Sequence, residues 1–490
     1  MDNICSANEL IQRLKDNDPE LTVLDLDDGI VTDLFYNEPE RILDFLEAIQ
    51  QHSSNNSKSC NTRSIRQVSV SGEFLTTLGE IWDAFCWNTQ RQEEQELETL
   101  FFNAVAKLPQ LETLVVQEVM DFNGFSFQVE VLNQFLLQAK NLKNLSLRFV
   151  ELVPTRTEEE VLDSSLASQF SASVNEQNCD RQLYEAFRGH PSLQEVTFAQ
   201  LRLGEGLTLD SLLQGLASVP HLRKARIHMA VQRQQEQRHI REAMATGDSN
   251  SNNNNDMGTQ GRLEPICKSK TIDNLEISSL GILDESRMLR ELHRNTVLKT
   301  LFLGHIELSF AGWAQLAQML QHGNTKTKTR IALKSLKLDN MGGLEDVTIR
   351  VLAHALTPSP NITPALQELV FYNVLDMGKD GWKAIASMLA ENTSLRILTL
   401  ENCQGMNDEA AVDMANALAH NKTLGTLELQ VFSGSLVQFS HKVGQQAFLD
   451  VFLEGKNITL EYLYTQAKGE FEVQIDFYLK LNRTGLRPYV

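Results

Sequence analysis

Cysteines, histidines and phosphate-cradling glycine loops are where chemistry shows first in a sequence, and here they are dispersed. Cys5, Cys60, Cys86, Cys179, Cys267 and Cys403 are the six cysteines, with no CxxC spacing and no histidine at metal-ligand spacing. Neither a zinc site nor a disulfide framework is expected from that pattern. Eleven histidines are scattered, and His293, His322 and His420 fall near predicted helix ends, where an imidazole bonds terminal carbonyls. The sequence holds no GxxxxGK[ST] loop, no GxSxG elbow, no HExxH, no EF-hand loop and no GxGxxG following a strand. The expectation is therefore a chain that is not an enzyme and takes no catalytic metal and no cofactor.

Charge narrows the partners. Sixty-four acidic residues against 44 basic ones leave a net charge of −20, which repels nucleic acid and anionic lipid and keeps a protein monomeric. One local reversal, Arg223-Lys224-Ala225-Arg226-Ile227-His228, has no interleaved aromatics, so a solvated face or an acidic-partner patch is expected rather than a nucleic-acid site. No stretch approaches the ~18–20 apolar residues needed to span a bilayer. The opening Met1-Asp2-Asn3-Ile4-Cys5 lacks the basic and apolar regions of a secretory signal. Cytoplasm is the expected compartment, with the nucleus as the alternative. The Asn-x-Ser/Thr matches at Asn361, Asn392, Asn421 and Asn457 then read as turns rather than glycosylation sites.

The elements that position these residues come from one repeated pattern. Leu366, Leu369 and Phe371 are followed by Leu395, Leu398 and Leu400, then by Leu424, Leu427 and Leu429, with starts 29 residues apart. Each set ends in the apolar-polar-apolar alternation of a half-buried strand. A helical period follows: Trp382, Ile385 and Met388/Leu389; Ala411, Met414 and Leu418; Ile349, Leu352 and Leu356; Trp313, Leu316 and Leu320. A strand plus an amphipathic helix cannot bury both apolar faces alone, and stacking of neighbours solves this. The strand pattern recurs from Ile65, Leu111, Leu142, Leu193, Leu222, Ile272, Leu298 and Leu333, with weaker copies at Leu21 and near Leu460. Twelve or thirteen repeats are expected.

The segment Leu395 to Leu424, LRILTLENCQGMNDEAAVDMANALAHNKTL, resembles the long, ribonuclease-inhibitor-like (RNI-like) subclass of leucine-rich repeats. That subclass also supplies the sensor arm of intracellular immune receptors and the body of Ran GTPase-activating proteins. The resemblance implies a eukaryotic α/β leucine-rich-repeat solenoid, a horseshoe with a parallel β-sheet on the concave face and helices on the convex face. It also implies that ligands bind the concave side. The sequence departs from the subclass at the ninth position, usually Asn or Cys, which here reads Val119, Val150, Leu201, Ala230, Leu280, Ile306, Met341, Val374, Cys403 and Phe432. A continuous polar ladder is missing there, so backbone groups in those turns need other partners and the repeats are expected to be less regular. Cys403, in that column, reads as a small buried hydrophobe.

Residues 1–60 read as an N-terminal capping segment with a first degenerate repeat, 61–458 as the array and 459–490 as a C-terminal cap. Insertions near 154–180 and 232–270, the latter Asn-rich, must loop out of the stack, and Thr325–Thr329 is a smaller excursion. The Phe477/Tyr478 pair is read as part of the cap.

Strand positions that alternate with the buried leucines face the concave side. Early repeats place Gln67, Ser69, Thr113, Val115, Asn144, Ser146 and Arg148 there, and the fifth adds Lys224, Arg226 and His228. Later repeats place Phe302, Lys337, Asp339, Glu368, Val370, Tyr372, Ile397, Thr399, Glu401, Thr426 and Glu428 there. Phe302, Val370, Tyr372 and Ile397 would form an exposed apolar patch rimmed by carboxylates, the anatomy of a protein-binding hot spot for a partner with a basic rim. On this reading, aspartate at Tyr372 and Val370 abolishes partner capture without changing thermal unfolding. The expected function is a non-catalytic recognition scaffold or adaptor that binds a protein or peptide on the concave face. Two alternatives stand beside it: a Ran-directed GTPase-activating protein and a substrate-recruiting ubiquitin-ligase adaptor. Against the first, those proteins carry acidic tails where this chain reads Asn482-Arg483-Thr484-Gly485-Leu486-Arg487-Pro488. Against the second, residues 1–60 show no clear F-box-like module.

Overall fold

A computed structural model of the chain describes residues 7–16, 18, 20–26, 35, 38–55, 65–89, 97–118, 125–154, 181–204, 207–230, 263–279, 285–321, 333–359, 364–431, 442–465 and 470–484. Most of both insertions, Thr325–Thr329, Val119, Leu280, His322, Asn361 and Phe432 lie outside the described residues, as do Cys5, Cys60 and Cys179. The chain divides into two compact units, Met1–Thr271 and Ile272–Val490.

The first unit holds β1 (Val23–Leu26), β2 (Gln67–Ser71), β3 (Thr113–Gln117), β4 (Phe125–Gln128), β5 (Asn144–Arg148), β6 (Val150–Val153), β7 (Glu195–Leu203) and β8 (Lys224–Met229). Six of them, β1, β2, β3, β5, β7 and β8, form a parallel ladder in chain order. β4 and β6 pair beside it and join the end of β7. The second unit stacks seven parallel strands: β9 (Asn274–Ser278), β10 (Thr300–Gly304), β11 (Ser335–Asp339), β12 (Glu368–Tyr372), β13 (Ile397–Cys403), β14 (Thr426–Val431) and β15 (Tyr462–Thr465). Each ladder strand begins two residues after a repeat start read from the sequence. Helices between the later strands pack on one another in the same order. Their inner faces are the predicted ones: Trp313, Leu316, Ile349, Leu352, Trp382, Ile385, Met414 and Leu418 are all buried. Strands stack about 4.8 Å apart and helices about 8–10 Å apart, so within each unit the stack bends toward its sheet.

Ninth-column residues Val150, Leu201, Ile306, Met341, Val374 and Cys403 are buried, and the backbone satisfies itself around them. The eighth residue of each of these repeats, and of the one before β10, is left-handed: Phe149, Gln200, Ser279, His305, Asn340, Asn373 and Asn402 have φ between 45° and 59°. Few non-glycine residues adopt that conformation, Asn most readily. Here it aims the amide at the next strand: His305 N–H donates to Asp339 O (2.8 Å), Asn340 N–H to Tyr372 O (3.0 Å) and Asn373 N–H to Glu401 O (3.0 Å). Two residues on, Gly342 N–H donates to Ile306 O and Gln404 N–H to Val374 O, both at 3.0 Å. Among the described residues the ladder shifts register at Glu401/Cys403 and at Ala199/Leu201.

A polar ladder does exist, displaced to the position three residues before the repeat starts Leu395, Leu424 and Leu460. Asn421 Nδ2 donates to Leu389 O (2.7 Å) and Asn392 O (3.0 Å), while its Oδ1 accepts from Thr423 N–H (2.9 Å) and Leu424 N–H (2.7 Å). Asn457 repeats this set on Leu418 O, Asn421 O, Thr459 N–H and Leu460 N–H. Asn392 binds Leu356 O and the amides of Ser394 and Leu395. All three asparagines are buried, which bears out their reading as turn residues. The hydroxyl two residues on completes the pattern, since Thr423 Oγ1 donates to Asn392 O (3.2 Å).

Gly405, eleventh in its repeat, has φ +78°, and an added Cβ would collide with the Met377 carbonyl oxygen. Gly405→Ala is expected to destabilise the second unit by roughly 2–3 kcal/mol, from the left-handed backbone and the clash together, readable by urea unfolding.

At the last strand, helix Glu470–Thr484 buries Ile475 and Leu479. In every inner repeat of the second unit the second-residue carbonyl accepts two amides from the next repeat, as Arg396 O does from Gly425 and Thr426. Glu461 O instead accepts from Arg483 Nε at 2.7 Å, and Leu460 O from Asn482 Nδ2 at 2.6 Å. Side chains of one helix thus replace the missing next strand. Phe477 stands exposed on that helix, in edge-on contact with Tyr478.

Candidate functional site

The register of the second unit lines its sheet face in rows. Fifth positions run Glu276, Phe302, Lys337, Val370, Thr399, Glu428, Tyr464 across β9 to β15. Third positions run Glu368, Ile397, Thr426, Tyr462 across β12 to β15, and seventh positions Asp339, Tyr372, Glu401, Gln430 across β11 to β14. All ten residues singled out for protein binding therefore share one face, but not all of them reach solvent.

Val370 is 2% exposed and Thr399 5%. Both lie in the middle row, Val370 between Lys337 and Thr399 and Thr399 between Val370 and Glu428, and the exposure expected of Val370 does not occur. Aspartate at Val370 would bury an unpaired charge and unfold the repeat, so that half of the expected substitution pair does not test binding. Phe302 is half-buried with its ring lying on Gly304, where an added Cβ would meet Cε1 at 2.8 Å. Ile397 is exposed at 36%. Two aromatic residues were missed by the sequence reading: Tyr462 and Tyr464 on β15, exposed at 43% and 42%. Their signal was present in the Tyr462-Leu463-Tyr464-Thr465 alternation after Leu460.

The charges are organised around Tyr372. Lys337 Nζ pairs with Glu368 Oε1 at 2.9 Å, Asp339 Oδ1 accepts from Asn373 Nδ2 at 2.7 Å, and Glu428 Oε2 accepts from Thr399 Oγ1 at 3.1 Å. Burial raises the Tyr372 phenol above its ordinary value, against the pull of Lys337 and with the help of Glu401, Glu428 and Glu368. Its hydroxyl therefore stays a neutral donor.

The first unit's face differs. Asn144 Nδ2 donates to Thr113 Oγ1 (3.1 Å), Arg148 Nε to Ser146 Oγ (3.2 Å) and Gln67 Nε2 to Ser69 Oγ (3.2 Å). The polar groups there bind one another, and Lys224, Arg226 and His228 sit half-buried on β8.

Cys403 is buried, and burial pushes its thiol up to about 12, the opposite of an activated nucleophile. His420 Nδ1 bonds Asn416 O at 2.8 Å, the expected helix-end contact. Among the described residues no group of three or more His, Cys, Asp or Glu is placed to hold a metal ion, and no helix is long and apolar enough to cross a membrane. A groove of about 400 Å³ lies between helices Asp346–Leu356 and Lys379–Glu391, lined by Arg350, His354, Asp380, Lys383 and Glu391 among others. Its Arg350 and Asp380 approach each other at 3.6 Å.

A ladder of parallel strands, one ladder strand per repeat and backed by helices, makes each unit a leucine-rich-repeat α/β solenoid. No family model matches the sequence, and no curated protein does. Among solved structures the chain is similar to one in the crystal structure of the Rad7 and Elc1 complex in yeast. That likeness has a TM-score of 0.36 and 13% identity, covering 87% of this chain and 76% of that one. It is also similar to one in the TLR13–ssRNA13 complex, with a TM-score of 0.39 and 14% identity, covering 91% of this chain and 47% of that one. Neither likeness adds to what the strand register already establishes.

Proposed function

We propose that this chain is a non-catalytic recognition scaffold that binds a protein or peptide on the sheet face of its second unit. The observation carrying this is the group of exposed Ile397, Tyr462 and Tyr464 on the same sheet face as Glu401 and Glu428. Large apolar side chains left open in a group, with a polar rim, mark interaction surfaces. The 29-residue spacing from Leu366 to Leu424 supports the RNI-like subclass. The buried thiol of Cys403 and the buried Asn-x-Ser/Thr asparagines support an intracellular, cytoplasmic protein.

Tyr462→Asp combined with Tyr464→Asp is expected to weaken capture of the partner by about 2–4 kcal/mol, the size of a hot-spot loss. Because both rings are exposed, the melting temperature should stay within about 2 °C. Affinity capture by the wild-type chain and the double variant, with melts alongside, decides it. Unimpaired capture would sink the reading.

A further inference from the structure

Resting on that reading, we infer that the partner segment is extended and presents two arginine side chains, three or four residues apart, to the β12–β15 end of the face. Two aromatic–carboxylate pairs stand there in direct register. Tyr372 on β12 is opposite Glu401 on β13, and Glu428 on β14 is opposite Tyr464 on β15. A phenol ring beside a carboxylate is a receptor for a guanidinium, which stacks on the ring while its N–H fork binds the oxygens.

The charge is unbalanced in the required direction. Glu368, Glu401 and Glu428 all act on the Tyr372 hydroxyl, and Lys337, which acts against them, is already paired with Glu368. Glu428 is held in place by Thr399, so it need not be ordered on binding. Ile397 and Tyr462, in the third-position row two residues along the strands from the Glu428/Tyr464 row, extend the face as exposed apolar surface beside the second pair.

Geometry sets the spacing. The pairs are two strands apart across the sheet and two residues apart along it, roughly 12 Å on the diagonal. Four residues of extended chain span about 13 Å, and three of a polyproline-type helix about 9 Å with side chains on one face. Arginine reach covers the difference.

The test uses the full chain and a labelled nonapeptide of glycine and serine carrying two arginines four residues apart. Fluorescence anisotropy is read at low and high salt. Binding is expected to weaken as salt rises, and about tenfold when both arginines become citrulline, which keeps the shape and loses the charge. It should weaken by about the same factor for the Glu401→Gln/Glu428→Gln chain, whose melt should match wild type. A citrulline peptide bound within about threefold of the arginine peptide, or a double variant of undiminished affinity, overturns the inference. If Tyr462→Asp/Tyr464→Asp abolishes partner capture while the arginine peptide does not bind, the partner chemistry is wrong and the face is right. If the peptide binds but ignores all four substitutions, the face itself is wrong.

Discussion

Asn421→Ala should lower the stability of the second unit by about 3–5 kcal/mol, more than any exposed substitution. The side chain bonds two carbonyls and two amides, none of which alanine can replace, and each buried polar group left alone costs about 1–3 kcal/mol. The cavity admits some water, which keeps the total below the full sum. In a unit of this size the melt should fall by roughly 10 °C. Asn421→Asp separates donors from acceptor, because it keeps the oxygen that receives Thr423 and Leu424 but turns a second oxygen toward Leu389 O and Asn392 O. It is expected to be at least as damaging at pH 7. A melt within about 2 °C of wild type for the alanine variant would show that the ladder is not structural. The same burial means that carbohydrate cannot be attached at Asn392, Asn421 or Asn457 once the chain has folded.

His190→Asn carries the second large effect, and it depends on pH. His190 occupies the ladder position in the first unit, three residues before Leu193, and its Nδ1 accepts from Leu193 N–H at 3.2 Å. Burial lowers its pKa from 6.5 to about 4, with the Ala139 and Leu136 carbonyls opposing and Lys140 adding to the drop. Between those values the unfolded chain takes up a proton that the folded ring refuses. Stability is therefore full above about pH 6.5, falls as the pH drops toward about 4, and levels off below. The loss from this group is roughly 3 kcal/mol. His52, buried against Leu14 O at 3.2 Å, is lowered by burial in the same direction and adds to the slope. Asparagine does not titrate, and the second unit uses it at this position as Asn295, Asn392, Asn421 and Asn457. His190→Asn should cost about 1 kcal/mol at pH 7 from lost volume and flatten the acid slope by the His190 share. Urea unfolding at pH 7 and pH 4.5 measures both. An unchanged slope in the variant would assign the acid sensitivity elsewhere.

The acid behaviour and the asparagine ladder share one cause that a single repeat does not reveal. Repeat starts, strand positions and inner helix faces were legible because each is a pattern of apolar residues within a few turns of chain. Leu366-x-x-Leu369-x-Phe371 says strand, and Trp382, Ile385 and Leu389 say helix, whatever surrounds them. The apolar ninth column was likewise visible, and it correctly excluded a ladder at that position.

What only the tertiary structure decided is what lies beside what across neighbouring repeats. Val370 and Tyr372 are both outward-facing by alternation, yet one is covered and the other is half open, because cover comes from strands about thirty residues away in the sequence. Asn421 looks like a polar turn residue until Leu389 O and Asn392 O are placed against it. Tyr462 and Tyr464 join the face only because β15 pairs in register with β14. The sequence determined the strand and helix that each repeat makes, since that burial is local. The surface and the polar ladder belong to contacts between repeats, which only stacking creates.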